Sequence, residues 1–173
     1  MGVGSTPVVS EAELAAIVEY SAEFLEASRY GELEDLQLMF SHPRLKDLID
    51  FKTLVDEASH TSSLMYSAAN GHADCVAFLI NAVGVDVNHK NISGNTALHW
   101  AALNGHADCV ALLIKSGADV MVANQFQKTA FDEAIARDKK DCCELLVREE
   151  VRLAGDADEE IEAEDMVLSS IAE

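Results

Sequence analysis

The chain has 173 residues, with 31 Asp plus Glu against 12 Lys plus Arg, 25 Ala, four Cys and a formal charge of -19. That length suits one domain, and an apolar fraction of 49% can bury enough surface to offset chain entropy, which excludes global disorder. Uncharged apolar runs such as Val110 to Ile114 are far short of the ~18 residues of a membrane span; no basic n-region suggests a secretory signal; and the negative charge disfavours nucleic acid and acidic membranes and favours a basic protein partner.

Residues 1–10 read as a flexible N-terminus. Met1-Gly2-Val3-Gly4-Ser5-Thr6 fits the N-myristoylation pattern, yet no polybasic second signal follows. One acyl chain alone binds membranes with K of only about 10⁴ M⁻¹, so no membrane partner is expected. Residues 11–155 are expected to form a repeat domain, because one pattern recurs along them. Asn70-Gly71-His72-Ala73-Asp74-Cys75-Val76-Ala77 returns letter for letter 34 residues later as Asn104-Gly105-His106-Ala107-Asp108-Cys109-Val110-Ala111. Thr96-Ala97-Leu98-His99-Trp100-Ala101 is answered 33 residues on by Thr129-Ala130-Phe131-Asp132-Glu133-Ala134, with Cys142 and Leu145-Leu146 answering Cys109 and Leu112-Leu113. Aligning Gly31 with Gly105 reveals a degenerate first copy, with Phe24 on Leu98, Ala27 on Ala101, Leu36 on Val110 and Met39 on Leu113. Units are therefore expected at about 11–40, 62–95, 96–128 and 129–150. The first carries polar replacements such as Asp35 for Cys109, which suits a cap with a solvated outer face. Residues 41–61 form an insert opened by Pro43, where Leu45, Leu48, Ile49, Leu54 and Val55 predict a helix.

Within one unit, Leu98, Ala101 and Ala102 make one face of a first helix, and Val110, Leu113 and Ile114 do so for a second, with Gly105 breaking the chain between them. Gly84 and Gly117 follow second helices where a left-handed cap is needed, and Ser93-Gly94-Asn95 suits a tight turn at a hairpin tip. The period, the Thr-x-Leu-His start and the Gly-His break resemble the ankyrin repeat, with Ala97 where that family has Pro. The resemblance implies an all-α ankyrin-repeat solenoid of about four stacked helix pairs with short hairpin fingers. The core is expected to include Phe24, Leu64, Leu98 and Phe131.

The repeated His-x-x-Cys, His72 with Cys75 and His106 with Cys109, invites a zinc reading. Equivalent residues of adjacent repeats lie ~10 Å apart, whereas four zinc donors must lie within ~4 Å of each other, so no metal is expected. The same spacing excludes disulfides among Cys75, Cys109 and Cys142, since a bridge needs Cα atoms under ~7 Å apart. Buried, reduced thiols and a cytoplasmic and nuclear location follow. His99 is expected to hydrogen-bond backbone or hydroxyl groups of a neighbouring hairpin. No nucleophile elbow, phosphate loop or distinct carboxylate pair is present, so no catalytic residue, cofactor or enzyme activity is expected.

Trp100 lies two residues, ~200°, from Leu98 and is expected to point away from the core into the concave groove. Its equivalents are Glu26, Tyr66 and Glu133, while Tyr30, Asn70, Leu103, Asn104 and Arg137 would edge the same groove. The alternative is that Trp100 and Tyr66 only pack on their own fingers. Apolar anchors between acids suit a basic amphipathic helix. Residues 156–173 are expected to be a solvated acidic tail, through Asp156, Asp158, Glu159, Glu160, Glu162, Glu164 and Asp165.

A narrower likeness covers roughly residues 15–165 in order. Ser28-Arg29-Tyr30-Gly31-Glu32-Leu33-Glu34-Asp35-Leu36, the insert, Ser67-Ala68-Ala69-Asn70-Gly71-His72, Gly94-Asn95-Thr96-Ala97-Leu98-His99-Trp100-Ala101, Phe131-Asp132-Glu133-Ala134 and the acidic tail together resemble the ankyrin-repeat chaperones dedicated to the third protein of the small ribosomal subunit. That resemblance implies a non-enzymatic chaperone, monomeric alone, that binds the newly made basic ribosomal protein, keeps it soluble and escorts it to ribosome assembly. The tail here is short. An ankyrin-repeat regulator or enzyme inhibitor, for example of a cyclin-dependent kinase, is the alternative by size, though the insert and acidic tail argue against it; a scaffold bound to an enzyme is another.

Overall fold

Ser10 starts the first helix, α1 (Glu11–Tyr30), through a reciprocal cap in which its hydroxyl accepts from Glu13 N and its own N–H donates to the Glu13 carboxylate at 3.0 Å. That backbone contact, with Arg44 at 2.6 Å, holds the Glu13 carboxyl at about 2. The computed structural model describes residues 10–171, with side chains to residue 155; Gly2 and its acylation pattern lie outside the described residues. Gly31 ends α1 in the left-handed conformation at φ 78°, and α2 (Leu33–Ser41) folds back to complete the first pair. The later pairs are α4 (Ser63–Ala69) with α5 (Ala73–Phe78), α6 (Ala97–Asn104) with α7 (Ala107–Lys115), and α8 (Ala130–Ala136) with α9 (Lys140–Ile171). A short α3 (Pro43–Leu48) lies in the insert. Helix α5 widens into a π-helical turn, Leu79–Val83, before Gly84 caps it at φ 77°.

First helices pack on first helices, α1 on α4 on α6 on α8, and second helices α2, α5, α7 and α9 form the other layer. The all-α solenoid of four stacked pairs is therefore the observed architecture, with no strand longer than the isolated Val55–Ser62 bridge among the described residues. The core runs through it as one cluster. Phe24, Leu64, Leu98, Leu36, Val76, Val110 and Leu146 are fully buried within that cluster. Phe131 corrects the expectation for the fourth unit: it is only half-buried, and Ala130 and Ala134 supply the buried face instead. The last first-helix has a neighbour on one side only, so a large ring there keeps a solvent-facing edge.

Toward the other end the insert packs between the first pair and the second unit. Its helix is shorter than the segment suggests, and the burial comes from Leu45, Ile49 and also Phe51, which the sequence pattern did not mark. Phe51 meets Phe24 at 4.6 Å and Phe40 at 6.0 Å, and Phe40 meets Phe78 at 5.9 Å. Four rings thereby join cap, insert and second unit, each ring pair adding about 0.5–1.5 kcal/mol beyond its buried area.

Two left-handed positions recur in register with the units. Between first and second helices stand Gly31, Gly71, Gly105 and, in the last unit, Asp138 at φ 52°. At the finger turns stand His60 at φ 54°, Gly94 at 75° and Gln127 at 58°. Only glycine adopts these conformations without steric cost, so the three exceptions carry local strain.

Candidate protein-binding face

Each interhelical glycine leaves room for a side chain from the next unit. His72 and His106 lie over Gly31 and Gly71, where a Cβ would come within 2.5 Å of the imidazole Nδ1 in both cases. His72 Nε2 then donates to Arg29 O at 3.0 Å and His106 Nε2 to Ala69 O at 3.1 Å, satisfying carbonyls that end the preceding first helices. Lys139 takes the equivalent place over Gly105. The His-x-x-Cys motif is thus an inter-unit staple, with its rings turned to backbone and Cys75 and Cys109 buried in the core. Burial raises the Cys75 and Cys142 thiols and pushes Cys109 up to about 11; no cluster of three or more metal-ligating side chains occurs among the described residues.

The fingers are stapled in the same way. His99 is buried at the start of α6; its Nδ1 accepts from the Thr96 N–H at 3.2 Å, and its Nε2 donates to Lys128 O of the next finger at 3.1 Å. Burial lowers its pKa, so the neutral ring with hydrogen on Nε2 is the bound form. Ile92 N donates to Ser59 O at 3.1 Å and Gln125 N to Ser93 O at 3.0 Å, which links successive fingers. Asn91 and Asn124 turn their fingers identically, each side-chain oxygen accepting two backbone N–H groups at 2.9–3.1 Å.

On this frame, Glu26, Tyr66, Trp100 and Glu133 fall at equivalent positions, one per first helix, repeating at about the ~10 Å helix spacing. Glu26 is exposed, as are Tyr30, Asn70, Asn104 and Arg137; Tyr66, Leu103 and Glu133 are half-buried. Asn70 Nδ2 donates to Tyr66 O at 3.0 Å, and Asn104 Nδ2 reaches back to Ala69 O at 2.7 Å, so both amides fasten helix ends. Glu133 accepts from Asn124 Nδ2 at 3.4 Å. Trp100 corrects the expectation of a free-standing anchor. Its indole is half-buried against the core, and Nε1 is enclosed without an acceptor, on a helix, α6, that has first helices α4 and α8 packed on both sides of it. An unpaired buried donor of this kind costs about 1–3 kcal/mol.

Arg29, absent from the sequence-based set, belongs to this face. Its guanidinium lies 4.3 Å above the Tyr66 ring and adds a minor attraction to Asp56, whose carboxyl is lowered chiefly by the Ser59 hydroxyl. The signal was available, since Arg29 is the single base among eight acids in residues 11–35. The finger tips add Ile92 and Phe126, both exposed. Seven residues assigned to the acidic tail, Asp156, Asp158, Glu159, Glu160, Glu162, Glu164 and Asp165, lie within the backbone of α9 but their side chains are outside the described ones.

Stacked helix pairs with linked fingers, no long apolar helix among the described residues, and a face of aromatic and acidic side chains define a protein-binding repeat scaffold. The chain belongs to the ankyrin-repeat family: residues 24–124 and 64–156 match the family described as ankyrin repeats (3 copies). Among solved structures it is similar to a chain in the crystal structure of the yeast ribosomal protein Rps3 in complex with its chaperone Yar1. The identity is 31% over 75% of this chain and 92% of that one, with a TM-score of 0.68. No curated protein matches it. Because 469 solved chains share the likeness in all, the fold by itself does not choose a function.

Proposed function

We propose that the protein is a dedicated chaperone of a basic small-subunit ribosomal protein, the third, binding it as it is made, keeping it soluble and escorting it from cytoplasm to nucleus for ribosome assembly. The observation that carries this reading is the 31% identity, over 75% of this chain and 92% of that one, to a chain of the Rps3 and Yar1 complex. A formal charge of -19 supports it independently, since it complements a basic protein and repels the RNA that protein would otherwise bind too early. In this reading the row Glu26, Tyr66, Trp100 and Glu133, edged by Tyr30, Asn70, Leu103, Asn104 and Arg137, receives a basic amphipathic segment. The aromatics supply apolar contact and the acids orient the segment. The acids of residues 156–173 act at longer range and speed encounter. The chaperone acts by binding, without catalysis, cofactor, metal, nucleic acid or membrane, and is monomeric when alone.

Turbidity of the isolated ribosomal protein tests the reading. One equivalent of the chain should abolish its aggregation at low salt, and an equally acidic unrelated protein should not. Equal protection by the control would reduce the effect to bulk charge and refute a dedicated chaperone.

A further inference from the structure

Helix α1 is far longer than the repeat requires: it has 20 residues, against eight in α6. The surplus extends it by about 18 Å, and Leu14, Val18, Ser21 and Leu25 recur along it at spacings of four, three and four, the seam by which one helix receives another. This seam is unfilled at its outer end. Leu14 is 54% and Val18 70% exposed, well beyond what a cap facing water needs. Alongside lies the loop that the insert adds, so that Ile17, Val18 and Leu25 face Leu54, Val55 and Ala58 across an open groove of about 440 Å³. Asp56 and Glu57 line the same groove. The Asp56 carboxylate accepts from Ser59 Oγ at 2.8 Å, Ser59 N at 2.8 Å and Ala58 N at 3.1 Å, which fixes it in place and keeps it ionised. Of the bases nearby, Arg29 is held over Tyr66 and Arg44 is paired with Glu13 at 2.6 Å.

We propose that this groove is a second docking surface, occupied by an apolar turn of a basic amphipathic helix of the partner. The inference rests on the chaperone reading and adds to it a site outside the row of repeat-equivalent positions. Charge complementarity selects the occupant: residues 11–35 carry eight acids and one base, so a basic helix is attracted while a second copy of this acidic chain is repelled. The long α1 and the insert, two departures from a regular repeat array, are then the two walls of one site, and Arg29 over Tyr66 lies beside both surfaces.

Two variants of exposed residues, Val18→Asp and Leu14→Asp, test it in the full chain by titration against the third small-subunit ribosomal protein, with Trp100→Ala as reference. Each should weaken binding at least about ten-fold, as burying a carboxylate in an apolar contact does, while the melting temperature stays that of the parent. A photo-crosslinking residue at position 18 should join the chain to the ribosomal protein through a helical, Lys- and Arg-rich segment. If both aspartate variants bind as the parent does while Trp100→Ala is weakened, the groove is not a docking site and the row on the first helices stands alone. If the parent itself does not bind, the chaperone reading and the groove both fall. Crosslinking to a second copy of the chain would also overturn the assignment.

Discussion

Adding one methyl group at Gly71 should cost the protein about 2.5–6.5 kcal/mol, and most of that cost should depend on His106. The backbone at Gly71 has φ +78°, where an L-residue loses about 1–2 kcal/mol relative to glycine. The new Cβ would lie 2.5 Å from His106 Nδ1 and 2.8 Å from Cε1, so the ring must leave. Displacing a packed ring costs typically ~1–3 kcal/mol, and the hydrogen bond from His106 Nε2 to Ala69 O goes with it, another ~0.5–1.5 kcal/mol. Urea unfolding followed by circular dichroism measures the total, and a double-mutant cycle with His106→Ala separates its parts. In the His106→Ala background, Gly71→Ala should cost only the backbone share, about 1–2 kcal/mol. Gly105→Ala should resemble that smaller value in the parent chain, because its neighbour is the flexible end of Lys139, whose Cδ and Cε lie 2.7 and 3.1 Å from the added carbon. Strict additivity of Gly71→Ala and His106→Ala would refute the staple.

The strained register positions point the other way: Asp138→Gly and Gln127→Gly should each stabilise by about 0.5–1 kcal/mol in the same unfolding assay, and a loss at both would remove the strain reading. His99 sets a pH response. Its folded pKa is lowered by burial, so the unfolded state takes up the proton first, and stability should decline as pH falls through about 6.5; His99→Gln should flatten that slope in melting scans between pH 7.5 and 5.5. The lowered carboxyls of Glu13, Asp56 and Asp132 lose their contribution only at lower pH, below about 4.5. Of the four free thiols, half-exposed Cys143 should react with a thiol reagent in the native protein, with Cys75, Cys109 and Cys142 reacting only after denaturation; rapid native labelling of Cys109 would contradict its burial.

What could be read from the sequence was whatever repeats. The 34-residue echo of Asn70–Ala77 fixed unit length, helix pairing and the buried positions Leu64, Leu98, Cys75 and Cys109, because identical local sequences in a stack meet identical neighbours. Where neighbours change, the echo misleads. Phe131 has Leu98's place in the pattern but no following unit to cover it. Trp100 has the outward angle of a groove residue, yet side-by-side first helices half-enclose it, and helical angle alone carries no information about a neighbour's proximity. The insert showed the same limit: Leu45 and Ile49 were legible as apolar, but Phe51 becomes core only because the chain turns after α3 to reach Phe24 and Phe40. Arg29 over Tyr66 and the groove walled by Val18 and Leu54 arise from contacts between segments separated by more than thirty residues, which no local period encodes.

The central claim is that one basic ribosomal protein is held on the face centred on Tyr66 and Trp100. Isothermal titration of the purified chain with the third small-subunit ribosomal protein tests it most directly. Trp100 packs on the core, so Trp100→Ala must be titrated at a temperature where circular dichroism shows it as helical as the parent. The account predicts one-to-one binding, with the dissociation constant raised at least about 30-fold by Trp100→Ala, the equivalent of ~2 kcal/mol for truncating an aromatic anchor. No heat with the parent chain, or a folded Trp100→Ala that binds as tightly as the parent, would contradict it.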